Sequence, residues 1–477
     1  MKPSEAFVLA WVGVVALISY AWLSEAQGFT LAVAICCAIV LGAAASHSSD
    51  RMVAGPVTIL CIVAVLSYSL RPLALAGGSP SFAVRLDRSN LNFASLVSLV
   101  FVTAMAMGIW TSRSRSKHGT PSLPSQKAVP QIGLAVAVAL VISIAAYIAN
   151  CRLVGVSLTQ PFLDPINFRS VTSANGQYYV TAVAVNFAWL PYWIALIYRG
   201  PEKRRRTSLQ SMQLILAGGF AAFMTVPYGQ RSYFLTPIVG TLWFVESRGY
   251  RLPLKRLLPI AMVVILGSGY YSTYRELNST NARGGMENVW LALGSGANKA
   301  LDSFSSRFDS FDFLGQTLQT WDEPYLYGRS LIDFAAQPLP RSLYPNKPPQ
   351  TSLLLITKQE PEVGTKFTPE FGMATELYIN GGLLAVGFGG LIFGALMAKA
   401  GRIRAARLSG GRCLVVAPLV YLPSAWFLSG FNSFASVSAV FSVITSLVGA
   451  WLVRTDQSVT MAEPESLPAS TLPVRLA

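Results

Sequence analysis

The chain has 477 residues, of which 52% are apolar and 12% charged, with a formal net charge of +15. So apolar a composition excludes an ordinary soluble domain, and the basic excess sits mostly in short segments between apolar runs, where it acts as a topology signal; nucleic acid is not expected as a partner. Without a CxxC or HExxH pattern, a P-loop or a dinucleotide glycine fingerprint, the sequence points to no metal, nucleotide or other cofactor.

In chain order, apolar runs cover residues 7–23, 29–45, 52–70, 93–110, 132–149, 178–197, 212–227, 233–246, 257–274, 374–398, 414–428 and 435–453. A run of roughly 18 apolar residues crosses a bilayer core. The expected fold is therefore all-α: a polytopic integral membrane helical bundle of about twelve spans. The first run has no small-residue cleavage site after it and is read as a retained span. The runs 212–227 and 233–246 are short, and are paired as a hairpin around the polar turn YGQRS. With the N-terminus inside, 22 of the 37 Lys and Arg residues fall on the cytoplasmic side, including TSRSRSK, YRGPEKRRR, SRGYRLPLKR and AKAGRIRAAR. Both termini are then cytoplasmic. Residues 1–455 read as one membrane domain, and the Pro-, Ser- and Glu-rich tail 456–477 as disordered. The five cysteines form no disulfide framework and read as core residues.

As drawn, the spans lack Asp, Lys, Arg and His, and Glu376 stands at the outer start of the tenth. Charges inside a bilayer mark ion relays and transport paths, so their absence argues against a proton-coupled transporter or channel. Chemistry is expected instead in the long external loop 275–373, which holds nine of the basic residues. Within it, Leu301, Phe304, Phe308 and Phe311 recur at helical spacing, with Asp302, Ser305, Ser306, Asp309 and Asp312 largely off that stripe. The pattern reads equally as a helix lying in the membrane interface or one packed on the end of the bundle. The turn LPRSLYPNKPPQ (339–350) comes after it. Its four prolines stiffen it and present Arg341 and Lys347 outside the membrane, a pair suited to a phosphate.

The order GRS (328–330), LPR (339–341), YPNKP (344–348) and then ELYINGG (376–382) leading into a span resembles the oligosaccharide repeat unit polymerases of the Wzy type. The GQRS turn (229–232) resembles a glycine-arginine turn of that family, and the resemblance runs over about residues 210–400. It implies a GT-C-like bundle with an inverting glycosyltransferase activity that joins undecaprenyl-pyrophosphate-linked oligosaccharides into O-antigen, capsule or exopolysaccharide. The implied setting is the outer face of a bacterial cytoplasmic (inner) membrane, among membrane lipids, a flippase and a chain-length regulator. Fixed Arg and Lys would stabilise the leaving pyrophosphate in place of a metal.

Arg231, the one charge in its turn, and Arg341 are the foremost pyrophosphate ligands and catalytic candidates, with Lys347 beside them. Arg275 and Arg307 read as ligands or as interfacial anchors. Glu376 reads as a helix cap, or as a group that orients the acceptor or serves as base. An O-antigen ligase is the near alternative, but His47 and His118 both fall on the cytoplasmic side and leave no external histidine. A lipid-glycan flippase is the alternative outside enzymes, and it would need a charged central cavity.

Overall fold

The computed structural model describes residues 26–47, 55–76, 87–112, 132–163, 178–198, 208–228, 232–248, 286–294, 310–336, 371–403, 410–420 and 433–453, with isolated positions between them. Every regular element among them is helical. These are α1 (Ala26–His47), α2 (Pro56–Val65), α3 (Arg71–Ala76), α4 (Arg88–Thr111), α5 (Ile132–Val154), α6 (Tyr178–Tyr198), α7 (Ser208–Thr225) and α8 (Ser232–Ser247). After them come α9 (Met286–Gly294), α10 (Ser310–Thr320), α11 (Arg329–Ala336), α12 (Met373–Ala400), α13 (Gly410–Leu419) and α14 (Ser433–Leu452). Helices α4, α5, α6 and α12 contain stretches long and apolar enough to cross a membrane. Shorter apolar helices lie at 29–45, 56–70, 212–228 and 439–452. The chain is thus a helical membrane protein. The expected runs 7–23 and most of 257–274, and the tail 456–477, lie outside the described residues.

Helices α4 and α12 form one packed seam. Phe93 meets Tyr378 near its start, and the Arg402 guanidinium donates to the Ser112 carbonyl at its end (2.6 Å), so the two helices run parallel. Small residues let their backbones approach: a Cβ on Gly390 would stand 2.9 Å from the Phe101 carbonyl, and one on Gly394 would run into the Met105 carbonyl. Between membrane helices such small-residue contacts replace the hydrophobic drive that lipid does not supply. Helices α1 and α2 complete this core, where Leu41 and Leu60 join Phe101 and Met105 of α4.

A second core gathers on α6. Its Trp193 and Ile194 pack with Trp243 of α8 and Leu414 of α13, while Ala188 packs with Met224 and Tyr228 at the end of α7. Hydroxyls and amides stitch its helices together. Ser143 of α5 donates to the Ala184 carbonyl (2.9 Å), Asn150 Nδ2 donates to Thr181 (2.9 Å), and Ser442 of α14 donates to Asn186 (2.8 Å). All five cysteines are buried core residues.

Candidate functional site

The long loop returns to the bundle through a charge. The helix of the third apolar run passes through a wide π turn at Leu66–Leu70, where the Arg71 amide reaches back to the Leu66 carbonyl. One residue more in a turn rotates the next part of the helix by about 100°. Arg71 thereby lies 1% exposed inside the protein, although the sequence placed it just past the end of a charge-free span. Its Nε and Nη2 donate to the two carboxylate oxygens of Asp312 at 2.9 and 2.6 Å, a bidentate pair between helix and loop.

Helix α10 therefore packs into the bundle. Ser310, Phe311, Asp312, Phe313, Leu314 and Gln316 are all buried, against α4, the π turn and α12. Of the two readings left open for the loop stripe, packing on the bundle holds for residues 310–320. Residues 301–309 lie outside the described residues. The apolar faces turned outward belong to other helices of the loop: Trp290, Leu291 and Leu293 on α9, and Leu331 and Ile332 on α11.

The chain leaves the loop beside Ser310 and Tyr68. Gly372 has φ +71, and a Cβ there would stand 2.6 Å from Ser310 Cβ and 3.3 Å from Tyr68 Oη. Only glycine fits so close an approach in that conformation. Helix α12 then starts, and Glu376 lies in its first turn, 2% exposed, its amide donating to the Gly372 carbonyl (3.2 Å). A carboxylate near a helix N-terminus is favoured by the backbone dipoles.

Five residues later the helix breaks. Gly381 and Gly382 leave helical geometry, with Gly382 at φ +63, so the carbonyls of Ile379 and Asn380 lose their partners one turn on. The loop segment supplies new ones: the Leu326 amide donates to Ile379 O (2.9 Å) and the Tyr327 amide to Asn380 O (3.0 Å). Broken backbone at membrane depth is tolerated where protein satisfies it. Asn380 also uses its whole side chain. Its Oδ1 accepts from the Gly328 amide (2.9 Å), and its Nδ2 donates to Ser330 Oγ (2.6 Å) and to the Glu376 carbonyl (2.6 Å). The GRS and ELYINGG motifs, more than forty residues apart in the chain, are thus the two halves of one hydrogen-bonded joint.

Tyr327 is held at φ +47, the one described non-glycine residue in the left-handed region. Such a conformation costs on the order of 1–3 kcal/mol and persists where surrounding bonds impose it. Beyond the joint, α11 packs on α12 and α14, with Ser330 buried and Arg329 exposed. Partial burial pushes the Asp333 carboxyl above its ordinary value, and the Arg329 charge pulls it partway back.

Of the residues singled out in the sequence, Glu376 is described; Arg231, Arg275, Arg307, Arg341 and Lys347 lie outside the described residues. Residues close in sequence to Arg231 and Arg341 are described. The Tyr179 hydroxyl at the start of α6 donates to the Leu339 carbonyl (3.1 Å), two residues before Arg341. Tyr228, three residues before Arg231, packs against Tyr147 of α5 and Ala188 of α6. Leu343, within the proline-rich turn, is 74% exposed. Sequence reasoning gave no role to Arg71 or to the Asn380 side chain, and read Asp312 only as a residue off the apolar stripe. The signals available were an arginine at the end of an uncharged run and an Asn-Gly-Gly inside a span, the first of which reads ordinarily as a snorkelling anchor. Among the described residues no group of three or more His, Cys, Asp or Glu could hold a metal ion. No family model, curated protein or solved structure matches the chain.

Proposed function

We propose that the chain is a membrane glycosyltransferase that polymerises undecaprenyl-pyrophosphate-linked oligosaccharide repeats into a surface polysaccharide, by inverting transfer on the outer face of a bacterial cytoplasmic membrane. In this reading twelve spans form a GT-C-like bundle with both termini in the cytoplasm. Arg231 and Arg341 clamp the leaving pyrophosphate of the growing chain, aided by Lys347, Arg275 and Arg307. Glu376 orients the acceptor sugar or takes its proton.

The observation that carries this reading is the joint at Asn380. It ties Gly328 and Ser330 of the loop to the first turns of α12, so the two motifs of the resemblance that are described form one rigid structure. The bond from Tyr179 to Leu339 ties the start of the arginine-bearing turn to the first turn of α6. A rigid frame is what phosphate-leaving chemistry requires, because catalysis there is mostly positioning plus electrostatic stabilisation.

The test is polymer formation from purified lipid-linked repeats. Wild-type protein should convert single repeats into a ladder. Arg341→Lys keeps the charge but loses the guanidinium fork, and should slow turnover about ten- to a hundredfold at equal membrane level. A lysine variant of near-normal activity would reduce Arg341 to an anchor. Deletion of the gene should leave single repeats on the lipid carrier; accumulation of full-length polymer on that carrier would mark a ligase instead.

A further inference from the structure

The loop joint aims aromatic rings outward. Tyr325 is 40% exposed and Tyr327 82%, with ring centroids 6.4 Å apart and planes at 86°. Tyr325 is backed by Tyr378 of α12 (6.4 Å, 87°), and Tyr378 by Phe93 of α4 (6.2 Å, 84°). The rings are held as well as exposed. Bonds from the Leu326, Tyr327 and Gly328 amides to Ile379 and Asn380 fix the backbone on both sides of Tyr327, and the Arg329 amide closes the turn onto the Leu326 carbonyl (2.9 Å). A Cβ on Gly382 would stand 2.7 Å from Tyr325 Oη, so the helix break makes the room in which Tyr325 sits.

An aromatic belt at a membrane surface needs a ring at head-group depth and nothing more. It does not explain a tyrosine in the left-handed region beside a second left-handed residue, Gly328 at φ +87, both pinned by a buried asparagine. Exposed strained residues held by over-determined surroundings are a mark of ligand sites. The neighbouring side chains indicate the ligand. Asp322, Glu323 and Arg329 are exposed within four residues of the rings. Carboxylates accept from hydroxyl groups and a guanidinium donates to them. A pyranose presents an apolar C–H face on one side and a rim of hydroxyls around it, and so matches rings surrounded by donors and acceptors.

We infer that Tyr325 and Tyr327 form a right-angled platform in which one ring stacks on the face of a pyranose and the other flanks its edge, with Asp322, Glu323 and Arg329 around its hydroxyls. In the proposed reaction, on which this assignment of role rests, the platform receives the acceptor sugar within reach of the joint that carries Glu376. The rings make no bond to the reacting atoms, so they are positioning residues.

The experiment is saturation-transfer NMR on the full-length protein in lipid nanodiscs, with the methyl pyranosides of glucose, galactose and rhamnose as probes. Transfer should concentrate on ring C–H protons of at least one probe. Tyr327→Phe should retain it, whereas Tyr327→Ala and Tyr325→Ala should bind about tenfold more weakly, the order of one lost aromatic stacking contact. Tyr327→Gly removes the ring while accepting the positive φ, so it controls for misfolding: unchanged thermal stability with lost transfer supports the platform. Transfer to the glycine variant equal to wild type, or no transfer from wild type to any probe, overturns it. Probe binding that depends on Tyr327 in a protein that extends no lipid-linked repeat would leave the platform standing and remove the polymerase reading. Polymer formation at wild-type rate and KM by Tyr327→Ala would remove the platform and leave the polymerase.

Discussion

The core around α4 and α12 and the core around α6 are held by different means. Around α4 and α12, backbone meets backbone at Gly390 and Gly394, a bidentate Arg71–Asp312 pair is shut inside, and the long loop is built into the wall through α10 and Asn380. Around α6, large rings such as Trp193, Trp243 and Phe244 fill the space, and single hydroxyl or amide bonds join the helices. The first arrangement is intolerant of change, because neither a carbonyl nor a buried charge can step aside. The second can adjust by rotating side chains. Rigidity therefore lies where the loop motifs dock, and the contrast can be broken or sharpened by substitution.

The largest effect is expected at the ion pair. Asp312→Ala or Arg71→Ala leaves one charge buried without its partner and should cost about 3–5 kcal/mol, whereas Arg71→Met with Asp312→Leu should cost far less. Thermal unfolding in detergent measures both. Single variants as stable as wild type would mean that the loop is not anchored by this pair.

Asn380→Ala comes next. Three hydrogen bonds at roughly 1 kcal/mol each give a local loss of about 3 kcal/mol. Hydrogen exchange should rise at the Leu326 and Tyr327 amides while the amides of α6 keep their protection. A uniform rise over both cores would show that the joint supports the whole bundle rather than the loop.

Matched glycine substitutions compare the cores directly. Gly394→Ala drives a methyl into the Met105 carbonyl and should cost about 1–3 kcal/mol. Gly449→Ala meets the Leu190 side chain at 2.5 Å, which can rotate away, so its loss of melting temperature should be the smaller of the two. The reverse order would contradict the contrast.

The smallest effect is expected from Ser442→Ala on the α6 side. The bond from its hydroxyl to Asn186 joins two membrane helices, and such bonds average about 0.6 kcal/mol. A melting shift as large as that of Gly394→Ala would make the second core as brittle as the first.

By itself the sequence determined that the chain is helical and made for a membrane, since long uncharged runs leave the backbone no satisfied alternative there. It also determined most helix positions: the runs 93–110, 132–149, 178–197 and 374–398 lie within α4, α5, α6 and α12. Glu376 was legible as a first-turn acid, because that placement depends on neighbours in the chain alone. Tertiary structure decided the rest. Arg71 became an interior residue because a π turn rotated it and Asp312, 241 positions away, met it. The loop stripe gave half of its meaning away as well, since an amphipathic pattern is the same whether lipid or protein covers the apolar side, and contacts to α4 made it protein for 310–320. Asn380 is the sharpest case. An Asn-Gly-Gly in a span announces a break, but which groups would satisfy the freed carbonyls depended on a segment fifty residues earlier, and local propensity carries no information over that distance.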